Sequence, residues 1–342
     1  MSRLTKTRLR QVILDALEES GYEIAQAGHD HPFAVTVRTS LQQEQLLIYA
    51  WNVTHGGKKR SADEYRIQIT GVSKIEFKNG YKTLLLGISQ IPNSDTVIAA
   101  FDAEKHKNFG SSPSIQVHRP TLLKADVEGL ASETKELAGG QAEIVFAFRS
   151  ENLGQFIETL DPAYHSAASP LSATEAIKVN KLDFSKPNLD ANDLSGVAAN
   201  RIKALKTVAR WVRNQNFRRN VMHVYGYRCA ICGLQANLVH GSHIVSVASG
   251  GTDETVNGLC LCVLHHEAYD QGLLAIDGLG RILRNTAMAS ELAKASLSGG
   301  LDAFFETARV GQTIHLPVEA KYSPRPEFLE RNLAMKGAHN FS

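Results

Sequence analysis

All four cysteines of this 342-residue chain, Cys229, Cys232, Cys260 and Cys262, fall between positions 229 and 262. Four are too few for a small secreted fold stapled by disulfides. Their crowding points to one local task. Cys229-x-x-Cys232 is a knuckle that can offer two thiolates to one zinc ion. Histidines run through the same stretch at His240, His243, His265 and His266. The N-terminal residues are charged and lack a signal-peptide apolar core. No run reaches the roughly 18 apolar residues that a membrane span needs. The expectation is a soluble, cytoplasmic protein with no membrane partner. Its thiols stay reduced, which favours metal binding over disulfides.

The rest of the chain reads as two folded regions. Leu9, Ile13 and Leu17 repeat at helical spacing, with Gly21 as the stop. Strand-like runs follow at 33–37, 45–51, 65–70, 82–88, 96–101 and 143–148, and 151–160 reads as a closing helix. Residues 1–160 are therefore expected to form a mixed α+β domain with a largely antiparallel sheet, serving recognition or regulation. Residues 161–200 hold Pro162, Pro170 and Pro187 among many Ser, Ala, Asn and Asp residues, and read as a linker. The second domain is expected over 201–342, with its core at 225–277.

Charge is distributed unevenly. The chain has 37 basic and 35 acidic residues, a formal net charge of +2, which by itself does not mark a nucleic-acid binder. Yet 201–228 holds Arg201, Lys203, Lys206, Arg210, Arg213, Arg218, Arg219 and Arg228, and no acid. Ile202, Leu205, Val208, Ala209 and Val212 repeat there at helical spacing, so an amphipathic helix with a basic outer face is expected. Such a face is either merely solvated or contacts phosphates, and Arg210, Arg213, Arg218 and Arg219 are the candidates.

After the knuckle, His243 lies in an apolar strand-type context. Gly250-Gly251 and Asn257 follow, and then Cys260-Leu261-Cys262 leads into a helix that carries His265 and His266. This ordered set resembles the HNH, or ββα-metal, nuclease family. Residues 273–276, 281–283 and 315–317 look like its restriction-endonuclease branch. The resemblance implies a C-terminal ββα-metal domain with a structural zinc, His243 as general base, and Asn257 orienting it. It also implies a divalent cation, Mg²⁺ or Mn²⁺, held by His266. Asp270, one helical turn on, is the candidate second ligand, since a carboxylate suits a hard cation. Family members often carry two Cys-x-x-Cys pairs, and here the second reads Cys262-x-x-His265. The expected zinc set is therefore Cys229, Cys232, Cys262 and His265, with Cys229, Cys232, Cys260 and Cys262 as the rival. Ser242 stands where relatives often place an Asp or His metal ligand. That leaves the metal with fewer protein ligands, or with one from His240 or Asp270.

In the N-terminal region Trp51 opens into a basic loop, Lys58-Lys59-Arg60, which can meet phosphates while Trp51 stacks on a base. A second nuclease site around 63–66 and Asp102 finds no convincing carboxylate–carboxylate–Lys pattern. The combined expectation is a metal-dependent DNA endonuclease of restriction or phage-defence type. Its alternatives are a non-catalytic, zinc-stabilised nucleic-acid-binding module and a nuclease gated by a sensor N-terminal domain. One such site cuts one strand, so a homodimer is one route to double-strand cleavage.

Overall fold

In the computed structural model the described residues are 3–39, 43–57, 60–90, 95–110, 113–137, 141–165, 171–184, 189 and 194–342. They form two compact units, Met1–Arg213 and Asn214–Ser342. No helix among them is long and apolar enough to cross a membrane.

The first unit opens with α1 (Lys6–Glu19), whose N-cap Thr5 accepts a hydrogen bond from the Arg8 amide. The expected stripe of Leu9, Ile13 and Leu17 is buried, joined by Val12, Leu14 and Ala16. Strands β1 (Glu23–Ala27), β2 (Phe33–Arg38), β3 (Gln43–His55), β4 (Glu64–Gln68), β5 (Lys82–Gln90), β6 (Thr96–Phe101) and β7 (Ser114–His118) follow. Helix α2 (Arg119–Glu128) then leads to β8 (Leu130–Leu137) and β9 (Gln141–Arg149). The main path of the sheet is β1-β2-β3-β5-β6-β9-β8, and β4 pairs with β3 and β7. Every pairing is antiparallel except β3 with β5, so the α+β, largely antiparallel expectation holds.

Both faces of this sheet are buried, which is why its central strands are apolar throughout rather than alternating. Along β3, Leu46, Ile48 and Ala50 join one core with α1, while Leu47, Tyr49, Trp51 and Val53 join another. The first core is closed by α3 (Leu153–Gln155), which continues as a π-helix over Phe156–His165. It is closed further by α4 (Ala173–Asn180) and by the first residues of α5 (Ala199–Val224). The second core is closed by β4, β7 and α2 through Ile67, Ile115, Val117, Leu122 and Ala125.

The region expected to be a linker is built differently where it is described. Ala176, Val179, Leu182, Phe184, Leu194 and Val197 are buried in the first core, and the first unit extends to Arg213. The polar and proline-rich composition masked a sparse set of apolar anchors.

The second unit contains the hairpin β10 (Val239–His243) and β11 (Gly258–Cys262), paired antiparallel from Val239↔Cys262 to His243↔Gly258. Helix α6 (Val263–Asp270) follows without a break. This is a strand–strand–helix module in the expected order. A short hairpin of β12 (Leu274–Ile276) and β13 (Ile282–Arg284) comes next, then α7 (Thr286–Lys294), α8 (Leu301–Thr307) and α9 (Pro326–Met335). Their common core includes Phe217 and Val221 of α5, Leu259 and Leu261 of β11, Tyr269 of α6 and Leu329 of α9.

Candidate metal centre and active site

The knuckle is a tight turn in which the Cys229 amide donates to Leu234 O and the Gly233 amide donates to Cys229 O. It is tied to the hairpin by a hydrogen bond from the Ala230 amide to Cys260 O, 2.7 Å. This places Cys229 and Cys232 beside the end of β11 and the first turn of α6. His265 Nδ1 lies 3.7 Å from Cys229 Sγ and 3.2 Å from Cys262 Sγ, and Cys232 Sγ lies 3.9 Å from Cys262 Sγ. All four ligand atoms fall within 4.8 Å of one another. A tetrahedral zinc with ordinary Zn–S and Zn–N bonds sets its ligands roughly 3.5–3.8 Å apart. The four side chains therefore fit the ion that their chemistry implies. Among the described residues they are the one group of three or more metal-ligating side chains with converging atoms.

Cys260 stands outside this set. It is buried opposite Gly241 in the hairpin, and burial pushes its thiol up to about 12. It packs as a small apolar side chain. Burial also works against ionising Cys229. The His265 hydrogen bond and the amides of Cys232, Cys262 and Ile231 outweigh it, bringing that thiol down to about 6. Cys232 goes the other way: burial, opposed by the Leu234 amide and reinforced by the neighbouring sulfurs, lifts it to about 12. Crowded sulfurs that resist one another's ionisation are relieved by a shared cation. The other ring nitrogen of His265, Nε2, is buried without a hydrogen-bond partner.

Strand alternation divides the histidines. Gly241 and His243 face α5. A Cβ at Gly241 would stand 2.6 Å from Arg218 O, so only glycine lets the strand lie against the helix there. The His243 ring stacks on Phe217 at 3.6 Å between centroids and 7° between planes. Its Nε2 lies 3.0 Å from Asp253 Oδ1. Burial holds its pKa below the ordinary histidine value, with Asp253 opposing that effect and Arg218 adding to it. His240 and Ser242 take the opposite face, toward α6. The His240 and His266 rings are 6.2 Å apart, and His266 Nε2 lies 3.3 Å from Asp270 Oδ2. The structure thus brings His266 and Asp270 together, adds His240 beside them, and sets His243 on the other side of the strand.

Asn257 is fully buried and works on the backbone. Its Nδ2 donates to Val245 O and Thr252 O, both at 2.8 Å, and its Oδ1 accepts from the Val245 amide at 3.0 Å. These bonds close the loop between the two strands of the hairpin. The closure needs glycine at 251, where a Cβ would lie 1.9 Å from Val245 O. From outside, α9 grips the same loop. Asn332 Nδ2 donates to Ile244 O at 2.6 Å, Arg331 donates to Ser249 O and Gly250 O, and the Arg325 amide donates to Val256 O. At the far end of α6, Lys336 lies over the Tyr269 ring, 3.4 Å from its centroid, and donates to Tyr269 O. Burial lowers its ammonium to about 8, against the pull of Asp270. Sequence reading missed Asp253 and all of these α9 residues. Asp253 had a signal, an acid in the turn between Gly251 and Asn257; α9 had none.

The candidate phosphate contacts fare unequally. Arg210 and Arg218 are exposed on α5, while Arg213 and Arg219 are half-buried. Arg201, from the same acid-free run, is buried. Its guanidinium pairs with Glu175 at 2.7 Å and donates to Ala163 O, so it belongs to the first core rather than to a basic face. Lys58 and Lys59 lie outside the described residues. Arg60 is exposed and lies 3.6 Å from Glu64. Trp51 is only 8% exposed, donates from Nε1 to Thr70 O and packs beside His31 and Tyr49. It is a core side chain and offers no face to a base. Asp102 belongs to a buried network, its amide donating to Glu143 Oε1 while His106 Nε2 lies 2.9 Å from Glu143 Oε2.

Residues 229–277 match the family described as HNH endonuclease, and residues 44–157 match the family described as Methylase-associated X1. None of the curated proteins matches the chain. Among solved structures, a modification-dependent TagI restriction endonuclease is similar at 13% identity, over 84% of this chain and 80% of that one. The TM-score is 0.29, too low to carry an argument.

Proposed function

We propose, from the premise that this chain carries an HNH endonuclease domain at 229–277, that it is a DNA endonuclease of restriction type. The second unit cuts, and the first recognises the target or gates the cut. The observation that carries this reading is the fixed posture of His243. It is stacked on Phe217 and bonded to Asp253, at the end of a strand whose loop Asn257 closes.

His243 takes a proton from water, since neutral imidazole is the side chain suited to that near pH 7. The hydroxide attacks phosphorus, the bond to the 3′ oxygen breaks, and the departing oxygen takes a proton from solvent water, leaving a 5′-phosphate and a 3′-hydroxyl. Asn257 touches no substrate in this scheme; it holds the loop that sets the strand end. His266 and Asp270 would hold the divalent cation, Mg²⁺ or Mn²⁺, with His240 nearest to the place that Ser242 leaves without a ligand. Bound there, the cation supplies positive charge against the scissile phosphate and the leaving oxygen. Zn²⁺ in the Cys229–Cys232–Cys262–His265 group frames the hairpin and takes no part in the chemistry. Exposed Arg210 and Arg218 supply phosphate contacts along α5.

The test is cleavage of plasmid DNA with Mg²⁺ or Mn²⁺ by the full chain and by His243→Ala. The variant is expected to lose about 10²–10⁴ in rate, the range for a general base, with its zinc content unchanged. Equal cleavage by both proteins would remove His243 from the mechanism. Binding of plain and methylated duplexes by full-length His243→Ala then reports what the first unit reads.

A further inference from the structure

We infer that Asp253 is the positioning residue of the cut: it fixes the ring and the tautomer of His243, so that Nδ1 faces the water to be deprotonated. This rests on the reading of His243 as the base and adds a residue to it.

A histidine that acts as a base must present a lone pair in a fixed direction. Two degrees of freedom have to be removed, the ring's tilt and the choice of which nitrogen carries the hydrogen. Phe217 removes the first, because a ring stacked at 3.6 Å and 7° is held in its plane. Asp253 removes the second. A carboxylate only accepts hydrogen bonds, so Nε2, 3.0 Å from Asp253 Oδ1, carries the hydrogen and donates it. Nδ1 is left as the lone-pair nitrogen, and among the described residues no hydrogen-bond partner meets it. When Nδ1 takes the proton, the carboxylate already faces the new imidazolium charge. Asp253 therefore acts on the transition state as well as on the resting geometry.

The loop that carries Asp253 is held to the accuracy this requires. Asn257 closes it from within, and Asn332 and Arg331 of α9, with its N-cap Arg325, bind its backbone from outside. The charged groups that face His243 are Asp253 from this loop and Arg218 from α5. They act in opposite senses, the carboxylate favouring the protonated ring and the guanidinium opposing it.

The test uses the full chain with ¹⁵N-labelled histidine. In the wild type, the His243 ring is expected to resonate as the Nε2–H tautomer. In Asp253→Asn the tautomer preference weakens, and the ring titrates at lower pH because the carboxylate no longer supports the charged form. Asp253→Glu, which keeps the charge at a different reach, restores part of both. In cleavage assays Asp253→Asn is expected to lower kcat about 10–100-fold with little change in KM, and to move the acid limb of the pH profile downward. An unchanged tautomer and titration in Asp253→Asn would overturn the inference whatever the cleavage rate. A raised metal requirement in that variant would overturn it too, by making Asp253 a metal ligand. If His243→Ala cleaves like the wild type while the ¹⁵N result stands, the reading of the base has failed, and the positioning role falls with it.

Discussion

His265 and His266 are consecutive residues of one helix in very different surroundings. His265 is 1% exposed and turns Nδ1 toward three sulfurs. The His266 side chain is 28% exposed and meets a single carboxylate, whose own side chain is 57% exposed. About 100° of helical rotation separates neighbours, enough to put one inside the domain and the other at its surface. The sulfur-rich group is closed and has four donors, as a structural zinc requires. The histidine–carboxylate pair has two donors and stands open, which suits the proposed cation that would also meet a phosphate. The Cys-x-x-His-His run thus turns its last two residues in different directions, His265 into the sulfur group and His266 toward Asp270.

That division can be broken from either side. The largest effect is expected from Cys262→Ser. Binding of a structural zinc is worth about 10–16 kcal/mol, as much as the whole stability of a typical domain. The second unit should lose its zinc and its cooperative melting transition. Cys260→Ser should keep both. Loss of zinc in Cys260→Ser but not in His265→Ala, read by zinc content and calorimetry, would move the fourth ligand from His265 to Cys260. A smaller effect is expected from His266→Ala: the Mg²⁺ or Mn²⁺ concentration for half-maximal cleavage should rise about 10–100-fold, while bound zinc and thermal midpoint stay as in the wild type. A variant that loses zinc as well would erase the distinction between the two sites. The smallest concerns the loop. Asn332→Ala removes the buried donor to Ile244 O and should cost about 1–3 kcal/mol in unfolding experiments. It should also slow cleavage without changing the metal requirement.

What the sequence revealed follows from where information is local. The knuckle, hairpin and α6 were legible because each ligand lies within a few residues of a turn that fixes it. The expected strands 82–88 and 96–101 fall inside β5 and β6, which are buried on both faces and need apolar runs, while 33–37 falls inside β2, which alternates buried with half-buried residues. β8 was missed because Glu133 and Lys135 look like a solvated segment. In the fold Glu133 is buried, accepting from Thr121 Oγ1 at 2.6 Å and the His118 amide at 2.9 Å. Arg201 misled in the same way, since its partner Glu175 is 26 residues away. Asn332 was invisible for a related reason, and Asp253 left only the signal of an acid in a turn. A side chain that acts by holding another carries no motif of its own.

The grip of α9 on the loop between β10 and β11 has a consequence for how the protein is made. Asn332 and the carbonyl it holds at Ile244 are 88 residues apart. During synthesis the hairpin, the knuckle and α6 all leave the ribosome well before the helix that steadies them. A chain interrupted in that interval would carry the four candidate zinc ligands with His243, His266 and Asp270, but its loop would lack the bonds from Asn332, Arg331 and Arg325. In the proposed nuclease, the loop that carries Asp253 therefore gains its full set of backbone contacts only when α9 docks.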